Sequence, residues 1–423
     1  MQRLDTRTPA VLLRIDRNAF HHGTLGAVRS LGRAGVEVHL VADDARGPVA
    51  RSRYLHRTHT PPPPAAPLAE TAAVLRGVAE GLRAPAVLIP LDDAGALAVD
   101  ALRAELNGTF LLPETEPGTA ERVADKATLA QLCATAGVPH PRTERPDSAA
   151  RAAALARSLG PPAVAKWSRP WCLPRDAGLH STVVVRSPGE AAALFARGTE
   201  AGSPLLLQAY VAAHRGADWF VHGYVGRDGR VHGGGTGRKL RSWPRAAGST
   251  VRGEWVPNPA LEALAARLLT AVGYRGVFDL DFREDAATGT YHLLDFNPRP
   301  GAQFRLFADG VDLDVVRAQH LDLTDRPLSA PSPLPGRSFL VENYAPLTAL
   351  LPGPRTAPRE LAWHAPDDRA PGAALRRLWG RNVVRRLRGR AWTWLRATSR
   401  TPRNPGAVPS PRTGSREPER LGS

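Results

Sequence analysis

The sequence predicts a chain of mixed α/β and α+β architecture, built from several domains, with a parallel sheet at its amino end. Three observations carry that reading. The 423 residues exceed what one core organises, at about 100–200 residues per domain. An apolar run, AVLLRI at 10–15, is followed by a helical stretch AVRSLGRAG and a second apolar run VEVHLV, the pattern of a βαβ unit. Further on, VFDLDF and YHLLDFN flank the turn sequence DAATGT, which reads as an antiparallel hairpin.

Between the first strand and its helix lies HHGTLG. With Gly32 its glycines give GxxGxxxxxG rather than GxGxxG, a weak dinucleotide fingerprint. They read as glycines for a tight strand-to-helix turn, with His21 and His22 on the loop. PPPPAAP at 61–67 is a surface connection. A helix at about 68–83 leads to a strand AVLIP at 86–90, and Asp92 and Asp93 follow its carboxyl end, where open α/β sheets place ligands. Residues 1–115 thus form a Rossmann-like domain.

The segment from Ala120 to Thr143 reads as one helix with a glycine–proline stop at 137–139. A helix at 148–159, strand PAVAKW, a polar loop holding Arg175, Gly178, Ser181 and Thr182, strand TVVVR, a helix at 188–197 and strand PLLLQAYV come next. Strand WFVHGYV turns back through GRDGR, and a long helix at 258–272 precedes the Asp-bearing hairpin. The expected division is 116–206, 207–330 and a proline-rich extension at 331–423.

Composition narrows the function. There are two cysteines, Cys133 and Cys172, with no CxxC spacing, so neither a disulfide framework nor a zinc site is expected; both read as buried, inert thiols. The amino end lacks the apolar run of a signal peptide, and no charge-free stretch of about 20 apolar residues occurs. A cytoplasmic location is the expectation. The net charge of +16 is concentrated: residues 371–423 hold thirteen arginines against two glutamates. That basic excess speaks to partners rather than to chemistry. AALRRLWGRNVVRRLRGRAWTWLRA, at about 372–397, can form a basic amphipathic helix, with Leu375, Trp379, Val383 and Leu387 on one face. Peripheral contact with an anionic membrane and docking on the protein itself are the two readings of it. Nucleic acid is not the expected partner.

Of 56 basic residues only three are lysine, Lys126, Lys166 and Lys239. A bias toward arginine replaces lysine where the two are equivalent. They are not equivalent where a compact ammonium must reach a phosphate oxygen, so the three survivors are site candidates. In the hairpin, Asp279 and Asp281 share a face of one strand, and Asp295 and Asn297 share a face of the next. Such hard oxygens suit Mg²⁺ bridging phosphates. Arg299 follows, able to hold a phosphoryl group or carboxylate bidentately. Asp295 is bracketed by Leu294 and Phe296, and an inward carboxylate there needs a partner.

On these residues the chain resembles the ATP-grasp superfamily, and within it the predicted carboxylate–amine ligases, or carboligases. Asp281 followed by Asp295, Phe296, Asn297, Pro298 and Arg299 matches that family's acid and E/D-x-N-P-R motif. Lys126 and Lys166 fall on its two nucleotide lysines, and Lys239 with Arg241, in GRKLRSWP, on a basic motif near the transferred phosphate. The resemblance covers about 10–330. It implies ATP held between two α+β lobes, a phosphate lid at about 168–182 including Ser181 and Thr182, and an adenine hinge at Gln208, Ala209, Tyr210 and Val211. It also implies Mg²⁺ (or Mn²⁺) on Asp281, Asp295 and Asn297. Three departures are present: Ala209 stands where many relatives have glutamate, Asp218 is the ribose acid by position only, and Asp295 replaces a commoner Glu.

The implied chemistry is amide formation between a small carboxylic acid and an amine through an acyl phosphate, with ADP and phosphate as products. Arg299, Lys239 and Arg241 would stabilise the transferred group. The same ATP site would also serve carboxylation or thioester formation. A tail-driven membrane or nucleic-acid binder is a reading from another class. A Rossmann dehydrogenase explains 1–115 but leaves the DFNPR motif and the lysines without a task. His21, His22, Asp92, His222 and Arg305 are substrate candidates by position, and a homodimer is the assembly common in the fold.

Overall fold

In the computed structural model, which describes residues 3–378 and 380 apart from 19, 44, 64–65, 175–177, 244–247 and 346–357, the apolar runs condense into three sheets. The first holds β1 (Ala10–Leu13), β2 (Val38–Val41), β3 (Arg57–His59), β4 (Ala86–Pro90) and β5 (Phe110–Leu111). All are parallel, in the order β3-β2-β1-β4-β5. Every residue of β1 and β2 is buried, as a parallel sheet covered on both faces requires. Strand order reverses between β1 and β4, so a crevice opens beyond their carboxyl ends.

Asp92 closes the floor of that crevice. Its carboxylate accepts from the backbone of Ile15 and Asp16 beyond β1 and from Gly95 N at 2.7 Å, capping helix Asp93–Ala101. Asp92 therefore anchors backbone, and the substrate role suggested by its position is replaced by a capping role. The first helix starts earlier than the periodicity suggests, at His22–Arg33, with His21 as its N-cap. Its glycines serve close packing instead of a turn: a Cβ on Gly23 would sit 2.8 Å from Ala302 Cα.

The second sheet holds β6 (Thr143–Glu144), β7 (Ala163–Trp167), β8 (Thr182–Val185) and β9 (Leu205–Ala209), antiparallel in the order β6-β9-β7-β8. Helices Ala149–Leu159 and Pro188–Ala196 cover one face through Ala152, Leu155 and Ala191. The helix expected from Ala120 onward is two helices, Thr119–Ala124 and Lys126–Ala136. Asp125 breaks them. Its backbone is extended and its Oδ1 accepts from Ala127 N and Thr128 N at 3.0 Å, which makes Lys126 the first residue of the second helix.

The third sheet holds β10 (Asp218–Val225), β11 (Val231–Trp243), β12 (Ser249–Trp255), β13 (Gly276–Glu284), β14 (Tyr291–Asn297), β15 (Ser338–Leu340) and β16 (Arg359–Leu361), in the order β14-β13-β10-β11-β12-β15-β16. β10/β11 and β13/β14 are the two hairpins expected. The last two strands come from the stretch read only as a proline-rich extension. One apolar core joins the first and third sheets, with Leu12, Val38 and Ile89 meeting Phe220, Trp255, Phe307 and Phe339.

Leu375 is buried in that same core. Trp379, Val383 and Leu387, on which the basic amphipathic helix depends, lie outside the described residues. Among the described residues no helix is long and apolar enough to cross a membrane. Asp367 and Asp368 have a structural task. Arg29 Nε donates to Asp368 Oδ2 at 2.9 Å, Ser52 Oγ donates to the same oxygen at 2.7 Å, and Arg29 Nη2 donates to the carbonyl of Trp363 at 2.9 Å. Arg33 is paired with Asp367 beside them. A buried guanidinium stripped of its carboxylate is costly. Asp368→Ala is expected to destabilise the fold by about 3–5 kcal/mol, read as a lowered midpoint in denaturant unfolding.

Candidate active site

The site is written in the register of the third sheet. Asp218 faces Arg283, Phe220 faces Asp281 and His222 faces Asp279 between β10 and β13. Asp281 faces Asp295 and Asp279 faces Asn297 between β13 and β14. Paired residues share a face, so Asp279, Asp281, Asp295 and Asn297 converge on one side. Burial together with neighbouring Asp279 and Asp295 raises the Asp281 carboxyl above its usual range, against Lys239.

The three lysines meet these acids from three directions. Lys239 Nζ on β11 lies 2.7 Å from Asp281 Oδ1. Burial alone would lower its pKa, but Asp281 and the neighbouring Asp279 and Asp218 hold it raised. Lys126, at the start of its helix, is paired with Asp295. Lys166 reaches across from β7 in the second sheet and donates to the Leu294 carbonyl at 2.8 Å. That carbonyl is exposed by a bulge: Asp281 pairs with Asp295 but Phe282 pairs with Leu293, so Leu294 has no partner on β13. Burial lowers the Lys166 pKa to about 8, opposed by Asp295.

Arg299 ties this cluster to the first sheet. Its Nη1 donates to Asp279 Oδ2 at 3.2 Å and its Nε to Asp93 Oδ1 at 3.1 Å. These carboxylates outweigh burial, which by itself lowers the pKa, and raise it above the ordinary guanidinium value. Asp279 also has His222 Nε2 at 2.7 Å from Oδ1, a charge contact that leaves Oδ1 without a hydrogen bond among the described residues; His222 Nδ1, on the far side of the ring, has none there either. Burial raises the Asp279 pKa, but His222, Arg299 and Lys239 override it and bring it down to about 2. Asn297 turns its amide nitrogen toward the Asp279 carbonyl at 3.3 Å. Hard oxygens of Asp281, Asp295 and Asn297 are thus presented together on one face, a donor set for a divalent cation.

No family model matches the chain, and no curated protein sequence matches it. Solved structures do. N5-carboxyaminoimidazole ribonucleotide synthetase in its ADP complex aligns with a TM-score of 0.58 at 14% identity, over 80% of this chain and 82% of that one. The enzyme of the same name from Thermus thermophilus aligns at 0.57 and 18% identity, over 77% and 80%. Biotin carboxylase from Campylobacter jejuni aligns at 0.57 and 16%, over 78% and 74%. The fold is that of the ATP-grasp enzymes.

On this ATP-grasp frame most of the expected residues meet, and some do not. Ser181 and Thr182 are exposed at the start of β8, with Thr182 opposite Lys166; Arg175 lies outside the described residues. At the hinge, Gln208 is buried and donates to Thr143 Oγ1 at 2.9 Å. The Ala209 N–H is already given to the Arg142 carbonyl at 2.8 Å. Tyr210 and Val211 follow directly after β9, Tyr210 exposed and Val211 buried. Asp218 is held by Arg283 Nε at 2.7 Å, on the same face as Asp281.

Arg241 is not in the cluster. Lys239 pairs with Gly253 but Arg241 with Arg252, so a bulge at Leu240 turns Arg241 to the opposite face. It lines a surface depression there with Arg215, Arg238 and Arg252. Arg305 is a structural centre, bound to Asp312, Asp314 and Glu360. Cys133 is buried, but Cys172 is exposed.

Arg14 was not singled out by sequence. It is fully buried after β1, with Asp16 Oδ1 at 3.3 Å from Nε, yet all three guanidinium nitrogens lack hydrogen bonds among the described residues. Unpaired buried donors are rare. His21 beside it is kept neutral by burial, then by His22, Arg14 and Arg299. The only sequence signal for Arg14 was a charge at the carboxyl end of an otherwise apolar strand.

Gly301 packs against the site. A Cβ there would overlap His222 and lie 2.8 Å from Asp279 Oδ2. Gly301→Ala is expected to cost about 1–3 kcal/mol of unfolding free energy, measured by denaturant titration.

Proposed function

We propose that the protein is an ATP- and Mg²⁺-dependent ligase that joins a carboxylic acid to an amine. One observation carries this reading: the three lysines of an arginine-rich chain all converge on the acidic face of β13 and β14. Arginine satisfies most surface tasks, whereas phosphate oxygens in a narrow cleft suit ammonium groups.

The donor set fits Mg²⁺. Two carboxylates from adjacent strands and one amide are hard oxygen ligands, and the raised Asp281 pKa marks negative charge that a cation would relieve. Asp281, Asp295 and Asn297 would hold the ion, which when bound supplies charge neutralisation at the phosphates. Lys166 and Lys126 come from the second sheet and its entry helix, so they clamp the phosphates of ATP from the opposite side. Tyr210 and Val211 offer backbone donors to the adenine edge. Lys239 and Arg299 steady the phosphoryl group as the substrate carboxylate oxygen attacks γ-phosphorus and ADP leaves. The amine then attacks the acyl carbon, phosphate departs, and the amine loses a proton to solvent or base. Ser181 and Thr182 stand where a lid would exclude water. Arg14 and Arg299 flank the switch-point crevice and would hold the acid before reaction.

A second reading takes bicarbonate as the acid. It is favoured by neighbours whose names are those of carboxylases and carboxyaminoimidazole ribonucleotide synthetases. The ATP site would be unchanged, and the acceptor would be carboxylated rather than amidated.

ADP release dependent on both an acid and an amine, and reduced at least about a hundredfold in Asp295→Ala, is expected from assays against pooled amino acids and small acids. AMP and pyrophosphate as products would sink the acyl-phosphate reading. Labelled bicarbonate entering product would establish the second reading.

Lys166 sets a pH dependence. Its ammonium is present below about pH 8 and lost above it. The KM for ATP should stay flat below that value and climb about tenfold per unit above it. In Lys166→Met the KM should be high throughout, with no inflection. For stability the sign is opposite: between about 8 and 10.5 the unfolded chain keeps a proton that the fold has released, so this group's contribution becomes more favourable as pH rises.

A further inference from the structure

At the amino ends of β2 and β3, far along the first sheet from its ligand crevice, a second group of ligating side chains gathers. Glu37 precedes β2, His39 lies within it and His56 precedes β3. His39 Nε2 is 2.9 Å from Glu37 Oε1, and His56 Nε2 is 3.6 Å from the same oxygen. All three ligand atoms lie within 4.8 Å of one another, and the two distances to Glu37 span the roughly 3.3–3.6 Å between donors of a tetrahedral ion with bonds of about 2.0–2.2 Å. Among the described residues no other such group of His, Cys, Asp and Glu occurs.

We propose that Glu37, His39 and His56 form a binding site for a transition-metal ion of the Zn²⁺ class, serving as a structural clamp. The donor set discriminates the ion. Two imidazoles and one carboxylate suit zinc and its neighbours, whereas Mg²⁺ prefers oxygen alone. The surroundings are arranged as a metal histidine needs. His39 is nearly buried, and its other nitrogen, Nδ1, lies 2.9 Å from His59 Nε2. With the ion on Nε2, the His39 proton sits on Nδ1 and is donated to His59, which fixes tautomer and ring orientation. Without the ion, the His39 proton sits on Nε2 facing Glu37, and His59 donates to Nδ1. Metal entry therefore shifts protons along the chain without net loss from the histidine pair. Glu37 and His56 are half exposed, with side-chain exposures of 49% and 58%, which gives the ion an entry path and leaves remaining positions to water.

The clamp has a mechanical purpose. β3 is a three-residue edge strand, paired to β2 alone. Its chain is secured just before the strand by His56 N–H to the Val38 carbonyl at 2.9 Å. An ion shared by His39 and His56 would fasten the edge at that point.

The test uses the full chain stripped of metal, with excess Mg²⁺ present to fill the acidic site. Zn²⁺ is titrated against a chromophoric chelator, and Co²⁺ is added separately for its visible spectrum. The expected result is one Zn²⁺ per chain, a raised unfolding temperature and a nitrogen-ligated Co²⁺ spectrum. His56→Ala and Glu37→Gln, both at exposed positions, should each weaken Zn²⁺ at least about tenfold while the metal-free unfolding temperature stays at the wild-type value. Asp295→Ala should bind Zn²⁺ as the wild type does. No Zn²⁺ binding, or wild-type binding in both variants, overturns the proposal. Loss of Zn²⁺ in Asp295→Ala with retention in His56→Ala places the ion on β13 and β14 and overturns it as well.

Discussion

Three carboxylates crowded on one face of two adjacent strands set the condition that the rest of the site answers. Asp279, buried, and Asp281 and Asp295, part-buried, repel one another at close quarters, and cations close by relieve that repulsion. The chain supplies them from separate places: Lys239 from the neighbouring strand, Lys126 from a helix start, Arg299 from the turn after β14. Lys166 brings a fourth from the second sheet, though it rests on a carbonyl. The entry helix itself is held on the third sheet by an apolar core, in which Leu129 and Cys133 join Phe278, Leu280 and Phe296, and the ion pairs form on that support.

Arg299 makes the first sheet a part of the same arrangement. By touching both Asp279 and Asp93, it places the switch-point crevice of the parallel sheet beside the acidic face. Asp92 fixes the crevice floor through backbone bonds across the ends of β1 and β4. Arg14, whose guanidinium has no hydrogen bond among the described residues, lies in the same corner as His21. The later strands and the Arg29–Asp368 pair brace this corner from behind, since Arg29 belongs to the helix that starts at the crevice. Arg305 does similar work, gathering Asp312, Asp314 and Glu360 around one buried cation.

Much of this was legible from residue types and spacing. Alternation along VFDLDF and YHLLDFN put the acids and Asn297 on shared faces because side-chain direction in a strand has a period of two. Scarcity made the lysines visible. The helices expected at 148–159, 188–197 and 258–272 form at 149–159, 188–196 and 259–272. The bulges at Leu240 and Leu294 and the two late strands depend on partners distant in sequence, whereas the break at Asp125 is made by its own local cap. Asp125 also holds Arg169 and Ser168, contacts no local pattern reveals.

The sequence by itself determined which chemistry the chain carries: the hard-oxygen acids, the retained ammonium groups and the guanidinium of Arg299, each recognisable because charge in an apolar context demands a partner. Only the tertiary structure decided how these groups meet. Arg241 and Lys239 are two residues apart and would share a face in a regular strand, yet one bulge separates them. Leu294 looks like core, yet another bulge turns its carbonyl to Lys166. Strand periodicity is local and survives in sequence. Register is a property of two strands together, fixed by packing across the sheet.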